Sequence, residues 1–133
     1  MSLAPQSPSI YQPGVCNIGP AEIRQRRLTG WVSVAFAVAF LVLAFALQWP
    51  AALRLIVALP VVLAANGFLQ AAFHFCVNFA TRGLFNFGEV GTTEAVHEAE
   101  YRRKDQRKAL LIVVLSVAIA AVVAVGAFLI PLP

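Results

Sequence analysis

Residues 28–49 form a run of 22 without a single Asp, Glu, Lys or Arg. As a helix such a run is about 33 Å long, enough to cross a hydrocarbon core of about 30 Å. This stretch constrains the fold more than any motif, because away from water a chain segment must satisfy its own backbone polar groups, and a helix does so. Two further stretches free of charged residues, 55–79 and 109–130, repeat the pattern. The expected fold is therefore all-α, an integral membrane protein with three transmembrane helices. A content of 60% hydrophobic and 12% charged residues and a mean hydropathy of +0.80 agree with that reading and lie far from those of a soluble domain. No run outside the spans is long enough to fold alone, so residues 1–133 are read as one membrane domain with no separate catalytic domain. The chain is also too short for a transporter built from paired repeats.

Residues 1–19 contain Pro5, Pro8 and Pro13 and lack the basic start and apolar core of a signal peptide, which predicts an extended or irregular tail. Pro20 suits the first position of a helix, with Glu22 in its favourable first turn and in reach of Arg26. That helix leads into the first span, 28–49, which Pro50 ends. Trp31 and Trp49 near its ends, and Phe85 and Phe87 in the glycine-rich loop after the second span, are read as interfacial anchors. Within the second span, Pro60 removes a backbone bond to Ile56 and predicts a kink. Thr92 or Thr93 is expected to cap a charged helical arm over 92–108, with Glu98 and Arg102, and Glu100 and Lys104, at the i,i+4 spacing of helical ion pairs. Without a breaker the arm runs on into the third span, so about 17 residues would project about 25 Å from the membrane.

Charge sets the orientation. Arg24, Arg26 and Arg27 precede the first span, and Arg82 and the basic cluster follow the second. The first connecting loop has only Arg54, and the C-terminus has no charge. By the positive-inside rule the N-terminus is cytoplasmic and the C-terminus outside. The same placement explains the net charge of +4 and removes the case for nucleic acid. Cys16 and Cys76 fall on the cytoplasmic side, where a structural disulfide is not expected.

Polar residues within the spans carry the functional reading. Asn66, Gln70, His74 and Asn78 recur every fourth residue, which on an unbroken helix puts them along one inclined face that must look toward neighbouring helices, a ligand or a partner. Ser116, Ala120 and Ala124 make a small-residue stripe on the third span, suited to close helix approach. These seven residues are the expected helix-packing and partner-binding set. His74 is also a candidate axial ligand for haem or (bacterio)chlorophyll, although a lone membrane histidine more often hydrogen-bonds to neighbouring helices. On a continuous helix His74 and Cys76 diverge by about 200°, which argues against a shared metal. Cys16 and Cys76 are a candidate thiol pair if the tail folds back, and the polar stripe would line an ion path only in an assembly of several copies. No Ser-His-Asp set, phosphate loop or paired carboxylates appear, so no catalytic residue is assigned.

Asn17, Ile18 and Gly19, then Glu22, Arg26 and Gly30, and after an apolar hairpin Cys76, Phe79, Gly83 and Asn86, form a pattern that resembles the small YgaP-like transmembrane domain family of bacterial inner membranes. The resemblance covers about residues 17–86. It implies a two-helix membrane module, often dimeric and mostly of unknown function, found alone or attached to rhodaneses. The chain departs from the pattern at Val77, where the family often has Pro, at Asn86, one position late, and in its added basic arm and third helix. With no rhodanese domain present, sulfur transfer does not carry over. The resulting expectation is a multi-pass, non-catalytic accessory or assembly subunit of a larger bacterial inner-membrane complex. A respiratory or photosynthetic electron-transfer complex is a candidate host by analogy. Other membrane subunits and lipids would be its partners. The alternatives are a stand-alone thiol redox or sulfur-handling module using Cys16 and Cys76, and a haem or (bacterio)chlorophyll holder using His74.

Overall fold

The computed structural model describes residues 11–131; residues 1–10 of the tail expected to be extended or irregular lie outside them. The element order is α1 (Pro20–Ala46), α2 (Ala51–Arg54), a 3₁₀ turn (Leu55–Val57), α3 (Ala58–Phe73), α4 (Val77–Arg82), β1 (Leu84–Phe85), β2 (Glu94–Ala95) and α5 (Ala99–Leu129). Three helices are long and apolar enough to span a membrane: Pro20–Ala46, Ala51–Phe73 with its 3₁₀ turn included, and Ala99–Leu129. The chain is a multi-pass membrane protein.

α1 begins at Pro20, whose missing N–H is of no consequence at a helix start. It ends at Ala46, before Trp49, because the chain turns back there. Gln48 takes a left-handed conformation (φ 55°) and the Trp49 N–H donates to the Ala44 carbonyl at 2.8 Å. α1 and α3 cross closely at two glycines. A Cβ on Gly67 would stand 2.8 Å from the Arg26 carbonyl oxygen, and one on Gly30 would stand 2.9 Å from the Phe68 ring. α3 is the middle layer, with α1 and α5 each packed on it and scarcely on one another.

The small-residue stripe of α5 is buried within the chain. Ser116, Ala120 and Ala124 share this face with Ala109, Ile112 and Ala127, and Ala124 and Ala127 cluster with Val57 and Ala37. The close approach permitted by these residues is to the chain's own helices. At this end of the bundle Arg54, only 3% exposed, donates from Nη1 to the carbonyls of Ala127 (2.6 Å) and Ile130 (2.7 Å). Its guanidinium lies 4.9 Å from the centre of the Phe45 ring. The cation thus satisfies carbonyls that the end of α5 leaves without helical partners.

Three expectations about the elements need correction. The second span does not continue to residue 79. α3 stops at Phe73, His74 is left-handed (φ 54°, ψ 45°), Phe75 and Cys76 lie outside any helix, and α4 starts afresh at Val77. Pro60 falls in the first turn of α3, and the irregularity near it is the 3₁₀ turn that precedes the helix. The charged arm starts at Ala99 rather than 92, because Glu94–Ala95 pairs antiparallel with Leu84–Phe85 and Thr92 is engaged elsewhere. The Thr92 hydroxyl donates toward the Asn86 side-chain oxygen (3.0 Å) and the Glu89 carbonyl (2.7 Å). The helical part of the arm ahead of residue 109 is thus about 15 Å long.

Candidate functional site

The break at 74–76 is the centre of a cluster of buried polar residues, Asn17, Glu22, Gln70 and Asn86, and Asn17 is what holds it. An interrupted helix leaves N–H and C=O groups without partners, and where they are buried, as around Phe75 and Cys76, each must find one. The N–H groups of Asn17 and Ile18 both donate to the His74 carbonyl, at 3.1 and 3.4 Å. The Asn17 side chain then brackets Cys76: its Oδ1 accepts from the Cys76 N–H at 2.7 Å and its Nδ2 donates to the Cys76 carbonyl at 3.2 Å. The Asn17 carbonyl accepts the Asn86 N–H at 2.9 Å. From α3, the Gln70 side-chain oxygen reaches across the break and accepts the Val77 N–H at 2.9 Å. A side chain thereby replaces the missing turn.

A charged chain of contacts continues from this bracket. Arg26 Nη2 donates to Cys76 Sγ at 2.9 Å, while Arg26 Nη1 pairs with Glu22 Oε1 at 2.9 Å. Glu22 Oε2 accepts from Asn86 Nδ2 at 2.8 Å. The Arg26 guanidinium also lies 5.6 Å from the centre of the Phe79 ring. Cys76 is the N-cap of α4, its sulfur accepting the Phe79 N–H at 3.5 Å. Glu22 and Asn86 are almost fully buried; each has partners for its charge or amide, as burial demands. Gly19 allows the two segments to meet, since a Cβ there would stand 2.8 Å from the Phe87 carbonyl oxygen. Asn17, Glu22, Arg26, Cys76, Phe79 and Asn86, six residues of the short pattern read in the sequence, therefore form one network drawn from three separated stretches. The expected pairing of Glu22 with Arg26 is its only ion pair.

A second anchor joins the N-terminal turn to α5. The turn is closed by the Val15 and Cys16 N–H groups on the Gln12 carbonyl, each at 3.0 Å, and needs left-handed Gly14 (φ 72°). The Tyr11 hydroxyl donates to Asp105 Oδ2 at 2.6 Å and the Gly14 N–H donates to Oδ1 at 2.8 Å. Burial, reinforced by the hydrogen bond and the charge of Asp105, pushes the Tyr11 phenol far above its ordinary value. Burial likewise pushes the Cys16 thiol up. Phe85 stacks on Tyr11 with ring centroids 4.8 Å apart and lies 6.0 Å from Phe87. These two rings, expected as interfacial anchors, are partly buried against the turn and one another.

The expected four-residue polar stripe is dispersed by the break. Gln70 faces inward, donating to the Asn66 carbonyl (3.2 Å) as well as bridging to Val77. The Asn66 side-chain oxygen is buried without a partner. His74 has left the helix, and Asn78 is exposed on α4. Because His74 and Cys76 are not helical, the angular argument against a shared metal no longer applies to them; among the described residues no group of three His, Cys, Asp or Glu side chains is placed to hold a metal. Cys16 directly precedes the residue that brackets Cys76, so the N-terminal turn does fold back over the break. Trp31 stays 62% exposed with its edge toward Phe68, and Trp49 packs edge-on against Phe40.

Sequence reasoning missed Asp105 and Arg54 as structural ions. Asp105 is a lone acid in a basic run, and Arg54 is a lone cation between apolar spans; each had that isolation as its only signal. Also missed was an apolar cavity of about 460 Å³ between α1, α3 and α5, lined by residues such as Val38, Ala65 and Ile119. Compared with known proteins, the chain matches no family model, no curated protein and no solved structure.

Proposed function

We propose that the chain is a non-catalytic accessory or assembly subunit of a larger complex in a bacterial inner membrane, with its N-terminus and basic face in the cytoplasm. The observation that carries this reading is the way the polar side chains are used. Asn17, Gln70, Glu22, Arg26, Asn86 and Asp105 all bond within the chain. They knit the N-terminal turn, the helix break, the loop after α4 and the start of α5 into one face. A face built this way presents a fixed shape to partner subunits, and such pre-organisation lowers the entropic cost of docking. Purification in mild detergent followed by mass spectrometry of every co-purifying chain tests the proposal. Stoichiometric partners that are lost in Asp105→Ala, while the three long helices persist by circular dichroism, are the expected result. A homo-oligomer without other chains overturns it.

The contact of Arg26 with the Cys76 sulfur favours a second reading, a thiol module, since cationic neighbours are a feature of reactive cysteines. Cys76 is 1% exposed, so this reading requires the N-terminal turn to lift away. Cys76→Ser separates the two: the accessory role predicts unchanged partner recovery, and the thiol role predicts loss of a cysteine-dependent activity.

A further inference from the structure

We propose that the chain binds one anionic phospholipid, with its headgroup phosphate in a basic pocket at the start of α5 and an acyl chain in the apolar groove between α1 and α5. Because both outer helices rest on α3 and scarcely touch one another, a slot is left over α3, floored by Val61, Ala65 and Phe68 and walled by Val38 and Ile119. Every side chain around it is aliphatic or aromatic, and its volume of about 460 Å³ lies in the range of about 300–1,000 Å³ typical of single-ligand pockets. An apolar slot alone does not say what fills it. Its surroundings do.

The same face of α5 leads from the slot to a second cavity of about 380 Å³, lined by Lys104, Arg107, Lys108, Leu111 and the Pro13–Gly14 turn. Leu111, Leu115, Ile119 and Val123 follow one another at four-residue steps, so they form one ridge on the helix, and Lys104 and Lys108 lie on that side just before it. The far wall has the same polarity. Arg27 is exposed and stands seven residues before Val34 and eleven before Val38, which places it on the α1 face that lines the slot. Both walls therefore carry cations at the same end, just before the uncharged runs 28–49 and 109–130, where flanking cations meet lipid headgroups. No acid lines the basic cavity, and among the described residues the one ion pair is that of Glu22 with Arg26. Lys108 instead rests 4.4 Å from the centre of the Phe73 ring, which seats its ammonium at the C-terminal end of α3. The turn that closes the cavity is pinned by Asp105, so the pocket is built by the fold. An apolar partner helix would fill the slot but offer no counter-charge to Lys104, Arg107, Lys108 and Arg27. A phospholipid with an acidic headgroup satisfies both, as basic pockets beside membrane helices do.

The full chain in detergent, offered equimolar dioleoylphosphatidylglycerol and dioleoylphosphatidylcholine and examined by native mass spectrometry, tests this. One lipid per chain is expected, with the glycerol lipid favoured about tenfold over the choline lipid. Replacing Lys104, Arg107 and Lys108 together with Gln removes that preference. Val38→Trp, at a position 56% exposed and so tolerant of a larger side chain, fills the slot and lowers retention of both lipids. Soluble glycerophosphoglycerol, which lacks acyl chains, does not bind the parent. Equal retention of the two lipids, a Gln variant that still selects phosphatidylglycerol, or Val38→Trp behaving like the parent each overturns the proposal. So does tight binding of the chain-free headgroup, or lipid-free dimers that Val38→Trp separates. Circular dichroism on each variant confirms that the helices are present.

Discussion

Asn17 uses its backbone N–H and carbonyl and both ends of its amide to hold segments that lie far apart in sequence. Asn17→Ala therefore strips the Cys76 N–H of its acceptor, while the Cys76 carbonyl keeps the Ala80 N–H at 3.0 Å, and leaving one buried group unsatisfied costs about 1–3 kcal/mol. Denaturant titration in detergent should show that loss. Arg26→Met is expected to be worse, by about 3–5 kcal/mol, because it leaves the Glu22 carboxylate buried without its cation. Combining it with Glu22→Gln should recover part of the loss, and a double variant no better than Arg26→Met alone would refute the coupling. Of the three groups whose pKa burial raises, Asp105, Cys16 and Tyr11, the last two make a prediction at alkaline pH. Cys16 and Tyr11 are held neutral in the folded chain, so the stability they contribute is full below the ordinary thiol value of 9.0. It is lost as the pH rises, because the unfolded chain ionises first. Hydrogen exchange of the 11–16 turn should be slow at pH 8 and accelerate beyond the intrinsic rate increase by pH 10.

The break between α3 and α4 is the element whose form the periodicity hides. A spacing of four over Asn66, Gln70, His74 and Asn78 is helical by pattern, yet His74 occupies a left-handed conformation that costs a non-glycine residue about 1–2 kcal/mol. Glycine accepts that conformation at a smaller entropic cost. His74→Gly is thus expected to leave thermal stability unchanged or raise it by up to about 1 kcal/mol. A drop in stability, with loss of a visible absorption band from protein purified from its native membrane, would restore the histidine to a ligand role. At the other end, Arg54→Leu should free the carbonyls of Ala127 and Ile130 and fray the last turn of α5. Faster exchange over residues 126–130, with the arm at 99–108 unaffected, is the expected signature.

For the whole molecule, α3 is the layer on which both other spanning helices rest, and the Gly30–Gly67 crossing sets the distance between two of them. Gly67→Leu directs a side chain at the Arg26 carbonyl, where even a Cβ has no room. It should force α1 off α3 and, because Arg26 and Glu22 sit one to two turns along α1, open the polar network as well. Increased labelling of Cys76 by a small maleimide, relative to the parent, would report that opening. Unchanged protection of Cys76 would show that the crossing and the network are independent.

The three spans, the helix start at Pro20 and the Glu22–Arg26 pair were legible from residue order alone, because each depends on local chemistry: the length of an uncharged run, a ring that fixes φ, and charges four apart on one helix. The polar network was partly legible through the short pattern of Asn17, Glu22, Arg26, Cys76 and Asn86, although nothing in the order of residues says that these side chains meet. Tertiary structure alone decided where the second span stops, since the carbonyl of His74 and the N–H of Val77 leave the helix only because Asn17 and Gln70 are there to take them. It also decided that residues 92–98 lie outside the helical arm, with Glu94–Ala95 paired to β1, and that α1 and α5 stand apart over α3. Those outcomes depend on partners distant in sequence, and helical periodicity records only neighbours within a turn or two.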